Sequence, residues 1–524
     1  MKKGLSTPLV LLSGLFTSQV GFMLLVYTSN HEILAALKEI HGTKSAYLTI
    51  PAGNVVTGLG QLSTAFNGGL FFTFTLGTGL SVTAFLFGWV WHHLLGRNKK
   101  ILPIAILCWV GGVAMVNYNG PQFIISATLL LTPFVVFFFT VFPHPSGCAR
   151  LSRFYLWFHI LLIFFSVTVA GFLGGNISFS NFRDTFLLSN PAGIMINDFY
   201  YRYTLHAARV FKPLGKRNVN TCFIDISKDD PLGKRIEEIL LKADFFPVPP
   251  EKQVDLFVTK NGNHLCFIHR GKKILQCSTA AFVRSPSAWL KQFSLRTDNH
   301  LLFRQLIYFS LVAGLPLWGY IFLCVLLQTF LDKIGWSGNR TRMGVSVFVL
   351  SVIMVVVGIL SYMSKISPHT AQNPVQSLVG RNRCAHLPTK SYNRHASHAD
   401  EFLVAPHVCG RIAALKIICR KKIDLVDVQI HGALLKSSHV AERYWAARAL
   451  AYSRGERGRK SLISLLEDSH PNVVCQALYA LGKRADKTVV PAIIHLITTS
   501  DHWYVQWYGY RALKQLEWKQ IALN

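Results

Sequence analysis

Hydrophobic positions in this chain form long unbroken runs in its first third, alternate with polar ones in its middle, and return at helical spacing near its C-terminus. A bilayer core of ~30 Å takes about 20 mostly apolar residues in helical form. Runs of that kind cover 8–27, 70–95, 101–116, 123–142, 156–173, 306–331 and 345–363. They predict a polytopic α-helical membrane protein of about seven spans. The Asn-Gly-Pro stretch between 117 and 122 predicts a tight turn joining two antiparallel helices. Lys2 and Lys3 precede the first run, Arg97, Lys99 and Lys100 follow the second, Arg150 and Arg153 the fourth, and Lys333, Arg340 and Arg342 the sixth. Short cytoplasmic loops retain Lys and Arg. All four groups fall on one side if the N-terminus is cytoplasmic, which puts residues 174–305 and the C-terminus outside. The expected location is a bacterial inner membrane. The first run also has the basic start of a signal peptide, but it lacks a small-x-small cleavage site after Val26 and is expected to stay as an anchor. The third run is the shortest and carries Pro103.

Residues 174–305 are polar and too numerous for a structureless loop. Ser189-Asn190-Pro191 opens a helix expected over 190–211; 220–226 reads as a strand and 231–243 as a helix with proline in its first turn. Strands follow at 254–259, 264–269 and 273–278, the last two joined by Arg270-Gly271-Lys272 as a hairpin. A helix at 285–293 leads back to the apolar runs. The expectation is an inserted extracytoplasmic α+β domain of about 130 residues, enough for its own core. Cys266 and Cys277 stand on the hairpin arms, close to opposite one another, with Cys222 in the strand before. Two readings fit: a Cys266–Cys277 disulfide, which an extracytoplasmic location permits, or buried thiols that fill core space.

Residues 306–363 hold the last two spans, after the five in 1–173. Residues 364–402, rich in Ser, Asn, His and Pro, read as a linker. From 403 to 524 the chain repeats. Arg411, Arg443, Val474 and Gln506 are equivalent points, followed at fixed offsets by Ala414, Ala446, Ala477 and Gly509, then by Ile417, Ala449, Ala480 and Ala512. The period of about 31–32 residues is that of one helical hairpin. The stretch 407–520 resembles the HEAT-like repeats of the phycobilisome-lyase type, whose unit reads Val-Arg-x-x-Ala-x-x-Ala-Leu-Gly. Glu442-Arg443-x-x-Ala446-x-x-Ala449-Leu450-Ala451 and Val473-Val474-x-x-Ala477-x-x-Ala480-Leu481-Gly482 match it. That resemblance covers about a fifth of the chain and implies an α-solenoid that binds partners; it does not imply lyase activity.

Composition adds sidedness to this picture. Of 524 residues 51% are hydrophobic and 15% charged, against about 25% charged in a soluble domain. Mean hydropathy is +0.33, yet 54 Lys and Arg face 25 acids, a net charge of +29. From Ser364 onward 23 Lys and Arg face 11 acids, and in 174–305 the numbers are 19 and 11. The excess is therefore concentrated in the two outer modules. Basic surfaces there suit membrane lipid headgroups, an anionic envelope component or an acidic protein, and not nucleic acid; a solvated face without a partner is the alternative.

Chemistry is sparse. The apolar runs hold no Asp or Glu in their cores, which disfavours ion-coupled transport. His92 and His93 end the second run and His159 starts the fifth at similar depth. Histidines facing each other across a bundle hold a b-type haem or contact a quinone; the alternative is interfacial residues like their neighbours Trp91 and Trp157. Gly14/Ser18 and Gly77/Ser81 have the small-x-x-x-small spacing of packed helices. The stripe Asn197-Asp198-Phe199-Tyr200-Tyr201-Arg202-Tyr203 is either core with a salt bridge at its edge or the wall of a ligand pocket. No nucleophile elbow, phosphate loop or His-Glu-x-x-His motif occurs. The last repeat crowds Trp503, Tyr504, Trp507, Tyr508, Tyr510 and Trp518 with Arg511. Such residues serve equally as a binding hot spot, a hydrophobic cap on the preceding repeat or a membrane-surface belt.

Three functions are compatible with this organisation. The first is an integral-membrane scaffold or assembly protein whose repeats dock a partner. The second is a permease subunit or an electron-transfer protein using His92, His93 and His159. The third is a cell-envelope enzyme with the α+β domain over the membrane.

Overall fold

A computed structural model describes residues 7–93, 95–118, 120–141, 183–204, 208–227, 230–249, 254–336, 341, 344–352, 403, 408–426 and 431–520. The fifth predicted span, most of the seventh and the 364–402 linker lie outside them. Among the described residues four helices are long and apolar enough to cross a membrane: Thr7–Thr43, Leu62–His92, Phe123–Val141 and Leu301–Lys333.

Helix α1 (Thr7–Thr43) outruns the predicted first span by sixteen residues. After Tyr27 it keeps one apolar face through Ile33, Leu37 and Ile40, spaced for a helix. That face packs with Tyr47, Leu59, Val219, Phe246 and Val248 in a cluster separate from the bundle core. The short α2 (Gly53–Leu59) leads to α3 (Leu62–Phe72), which continues through a π-turn at Thr73–Gly77 into α4 (Thr78–His93). Helix α5 (Ile101–Val116) has only sixteen residues, and α6 (Phe123–Val141) returns antiparallel to it.

The two small-residue pairs meet each other. A Cβ on Gly14 would lie 2.3 Å from Ser81 Oγ, and one on Gly77 would lie 2.8 Å from Ser18 Cβ. The spacing within each helix becomes a reciprocal contact between α1 and the α3–α4 helix. Buried Ser and Thr line the same seam: Thr73 donates to Gln19 Oε1 at 2.7 Å, and the Ser18 and Thr132 hydroxyls stand 3.1 Å apart.

The expected 190–211 helix is irregular where it is described. It runs as α7 (Pro191–Phe199), a π-turn at Tyr200–Thr204 and a 3-10 turn at Ala208–Phe211. Beyond it the mixed sheet has order β2-β1-β3-β4-β5. The strands are β1 (Asn220–Asp225), β2 (Phe245–Pro247), β3 (Leu256–Asn261), β4 (His264–His269) and β5 (Lys272–Ser278). Strand β1 pairs parallel with β2 and β3, whereas β3, β4 and β5 are antiparallel. β2 is too short to carry an alternation, so pattern alone misses it. Helix α8 (Pro231–Lys242) joins β1 to β2; its N-cap Asp230 accepts from Leu232 N and proline occupies the first turn. Helices α9 (Thr279–Arg284) and α10 (Pro286–Arg296) close the core, where Phe267 packs on Phe282 and Phe293. Helix α11 (Leu301–Phe309) then runs through a second π-turn into α12 (Leu315–Lys333).

The C-terminal part pairs α13 (Val408–Lys421) with α14 (His431–Leu435), α15 (Val440–Ala449) with α16 (Gly455–Ser464), and α17 (Pro471–Lys483) with α18 (Val490–Thr499), and ends on α19 (Trp503–Gln515). Helices α13, α15, α17 and α19 pack in succession as one layer. Ala446, Ala449, Ala477 and Ala480 are fully buried between them. The small residues recurring in the sequence are therefore the contact points of this layer. Arg411 and Arg443, equivalent in the repeat, each bond an acid of the next unit: Arg411 Nε to Glu442 at 2.6 Å, and Arg443 in bidentate fashion to Asp468 at 2.6 and 3.0 Å.

Candidate functional site

The repeat layer has two surfaces, one held by the rest of the chain and one that no other part of the chain covers among the described residues. Along the first runs the segment from Arg183 to Thr204, which meets all four units in succession. Asp184 Oδ2 accepts from Trp445 Nε1 at 2.9 Å and pairs with Lys416 Nζ at 2.7 Å. Arg183 donates to the Tyr444 hydroxyl at 2.8 Å with its guanidinium 4.3 Å from that ring. One unit further, Asn197 and Asn472 bond through their amides at 3.1 Å. At the last unit Tyr201 stacks on Tyr504 at 4.2 Å, Arg202 reaches Asp501 at 3.2 Å, and Asp198 faces His502 at 3.6 Å. The His502 ring, more than any other neighbour, holds the Asp198 carboxyl below the usual range. The stripe Asn197–Tyr203 is thus packed, with the expected salt bridge at its edge between Asp198 and Arg202 at 3.4 Å, but against the repeat units. It is a brace laid along the array.

Helix α19 is seated on two further parts of the chain. Gln506 Nε2 donates to Ala52 O at 2.9 Å and its Oε1 accepts from Ala52 N at 3.0 Å. Gln520 repeats the arrangement on Leu48, at 2.7 and 3.0 Å. On the α+β domain, Asp244 at the end of α8 accepts from the Tyr510 hydroxyl at 2.8 Å and from Lys514 Nζ at 2.6 Å. Burial holds the Asp244 carboxyl above the ordinary value although Lys514 and Tyr510 pull it down. Burial, with the Asp244 charge beside it, also holds the Tyr510 hydroxyl well above its own.

The open surface lies on the same layer, beyond the brace. Here cations and rings alternate from unit to unit. The Arg448 guanidinium lies 5.3 Å from the Trp445 ring and 5.7 Å from Tyr479; Lys483 Nζ lies 4.2 Å from Tyr452, whose hydroxyl it also bonds at 2.7 Å. In the last unit Arg511 sits 4.7 Å from the Trp507 ring. Lys483 and Arg511 are exposed, and the rings between them are half-buried. A guanidinium over a ring is held in place with donors left over for a carboxylate.

The partner-binding residues expected in the last repeat therefore divide. Tyr510 is buried on Asp244, Tyr504 stacks on the brace, and Trp503 packs beside the cluster around Ile33 and Val219. Trp507, Tyr508 and Arg511 border the open surface. Asp184, Asp244 and Gln520 were not legible as functional in the sequence. Gln506 offered one signal, a neutral amide where two earlier units have arginine.

Cys266 and Cys277 are free thiols. The hairpin register sets Cys277 opposite Leu265 and Cys266 opposite Gln276, so the two sulfurs lie on opposite faces of the sheet. Their expected near-opposition is off by one residue, which is enough to prevent a bridge. His92 Nε2 is bonded to Arg97. The His93 side chain and His159 lie outside the described residues, so the haem or quinone pairing has no described geometry. Among the described residues no group of three His, Cys, Asp or Glu side chains is placed to hold a metal.

No curated protein and no solved structure matches this chain. Residues 430–514 match the family model described as HEAT repeats, and the C-terminal part of the protein is a HEAT-repeat region.

Proposed function

We propose that this protein is a membrane-anchored docking scaffold. About seven helices hold it in the bilayer with the N-terminus cytoplasmic, and the HEAT layer outside presents its cation and aromatic surface to an acidic protein partner. The observation that carries the reading is the split of the repeat layer. One edge is clamped by the chain itself, and the other presents the exposed Lys483 and Arg511 with the half-buried Arg448 and Tyr479 between them. Preorganised Arg and Tyr side chains lose little freedom on binding and are the residues on which interface energy concentrates.

Contact supports the shared side of the two modules. The outer end of α1, the Asn117–Gln122 turn, the α+β domain and the HEAT region all meet at one end of the bundle: Gln122 Nε2 donates to Asn299 O at 3.0 Å, Asp244 meets Lys514, and Gln506 meets Ala52. The Arg97–Lys100 loop follows the opposite end of the long α3–α4 helix. That is the arrangement in which the basic inner loops and the two modules face different compartments.

The test is site-specific photocrosslinking in the full-length protein, with the probe at Tyr479 on the open surface or at Ile463 on α16. A defined protein crosslinked from Tyr479, absent from Ile463, and lost in Arg448→Glu/Lys483→Glu with unchanged thermal stability, is the expected result. Equal crosslinking from both positions, or a product insensitive to the charge reversal, would overturn the proposal.

A further inference from the structure

Beside the brace the chain leaves a cleft that shares only Trp507 with the docking surface. One wall is the short stretch from Arg209 to Val219, with Arg209, Lys212, Lys216 and Arg217; the other is the start of α19, with Trp503 and Trp507. The cavity is about 70 Å³, room for several waters or one small anionic group. Arg209 is held by one arm only. Its Nη2 donates to Val219 O at 2.6 Å, while Nη1 is shielded from solvent without an acceptor among the described residues. Arg217 Nε donates to Lys212 O at 2.9 Å, which fixes the second guanidinium beside the first. Burial and the charge of Arg217 push Arg209 down to about 10, and burial lowers Lys212 and Arg217 as well. Glu32 and Asp255 act on both arginines through space and offset part of this charge, with Asp255 Oδ2 accepting from Thr221 N at 3.0 Å. The open arm of Arg209 and the guanidinium of Arg217, lining one cavity with Lys216, present donors in the geometry that a phosphate accepts.

The depth of the cleft says where that anion comes from. At one end Phe211 stacks on Phe303 and meets Phe72, each at 4.6 Å, in the cluster that includes Phe22 and Val26 of the bundle. At the other end Val219 packs on Ile33, Leu37 and Ile40 of α1. From Val26 to Ile33 a helix rises about 10 Å. The predicted first span ends at Tyr27, so the cleft occupies the layer just beyond the hydrocarbon, where headgroups lie and Trp rings favour the interface.

We propose that this cleft binds the phosphate of an anionic lipid headgroup, with Arg209 and Arg217 as the inner donors and Lys212 and Lys216 at the mouth. The inference rests on the membrane setting proposed above. A bound headgroup would join the bundle end, the α+β domain and the last HEAT unit at one point, so that the repeat layer is held in register with the membrane surface.

Full-length protein in phosphatidylcholine nanodiscs, doped or not with phosphatidylglycerol, is the test, with retained lipid read by native mass spectrometry. Phosphatidylglycerol should be retained about tenfold over phosphatidylcholine, and the preference should fall about threefold in Lys212→Gln/Lys216→Gln, which leaves the two inner arginines in place. Trp507→Ala should weaken retention, and Lys272→Gln, on the exposed hairpin turn, should not. Equal retention of both lipids, or equal loss in Lys272→Gln, would overturn the site. Displacement of the lipid by millimolar glycerol phosphate or inorganic phosphate would overturn the lipid assignment and leave a soluble phosphate as ligand. If carbonate extracts the protein from membranes, the membrane reading itself fails, and the soluble-phosphate titration still reports on the cleft.

Discussion

Gln506 grips both backbone polar groups of Ala52, giving a hydrogen bond to its carbonyl and taking one from its N–H. The two residues are 454 positions apart, and the contact seats the last HEAT unit on the loop after α1. Equivalent points in the first two units are Arg411 and Arg443, which bond acids of the next unit. A guanidinium has donors only, whereas an amide presents a donor and an acceptor side by side and so matches a peptide group. The change from arginine to glutamine turns a link between repeats into a link to the rest of the chain.

Gln506→Glu removes the donor and sets a carboxylate against the Ala52 carbonyl. A buried acceptor left unbonded costs about 1–3 kcal/mol. Hydrogen exchange of residues 48–54 should accelerate at least tenfold while the amides of α15 and α17 keep their protection. Unchanged exchange at 48–54 would show that Gln520 alone suffices.

The Asp244 cluster joins the α+β domain to α19. Asp244→Ala leaves Lys514 and Tyr510 without their shared acceptor, at a cost of about 2 kcal/mol, moderated because Lys514 is partly exposed. A double-mutant cycle with Lys514→Met in chemical denaturation should give a coupling energy of about 1 kcal/mol or more. Strict additivity would mean the pair contributes nothing to the interface.

The α1 to α3–α4 seam tolerates no added bulk. A side chain on Gly77 meets Ser18 in both its Cβ and its Oγ, at 2.8 and 2.9 Å. Gly77→Val should therefore lower the unfolding midpoint in detergent, by the equivalent of about 2 kcal/mol or more. Gly111→Val on α5, where a Cβ would meet nothing within 4 Å, is the control and should change it little. Equal effects of the two would reduce the seam to ordinary helix propensity.

Acidification should loosen the array. Burial, with the charge of Arg443 nearby, pushes His470 down to about 4, and its Nδ1 accepts from Asn472 N at the start of α17. Burial lowers His300 to about 4 as well, with Arg217 as the largest like charge acting on it. The unfolded chain binds these protons near pH 6.5 and the folded one only near pH 4. Stability is therefore complete above about pH 6.5 and is lost as the pH falls toward 4. His470→Asn keeps a capping oxygen without a titrating ring and should flatten the decline by about 1–3 kcal/mol across that range. A midpoint as pH-sensitive in His470→Asn as in the native protein would assign the effect to other groups.

Much of the organisation is legible along the chain because its signals are local. Apolar runs mark the long helices, alternation marks β3, β4 and β5, and Ala446, Ala449, Ala477 and Ala480 announce a repeat whose small residues then form its contacts. Even the pairing of Gly14 and Ser18 with Gly77 and Ser81 follows from spacing once the two helices are known to touch. The signals fail where burial is supplied from afar. Nothing in 190–211 marks the π-turn at Tyr200–Thr204 or the 3-10 turn at Ala208–Phe211, because Tyr201 is fixed by stacking on Tyr504 and Phe211 by Phe72 and Phe303, all distant in sequence. Cys266 and Cys277 read either as partners or as buried thiols until the register, shifted by an irregularity at Phe267/Ile268, puts them on opposite faces of the sheet. The aromatic side chains of the last repeat look alike in sequence, yet Tyr510 and Tyr504 are spent inside the chain while Trp507 and Arg511 border an open surface. Which of them is free depends on where α1, the brace and the α+β domain come to rest. That depends on packing between residues hundreds of positions apart, and no periodicity within a single segment encodes it.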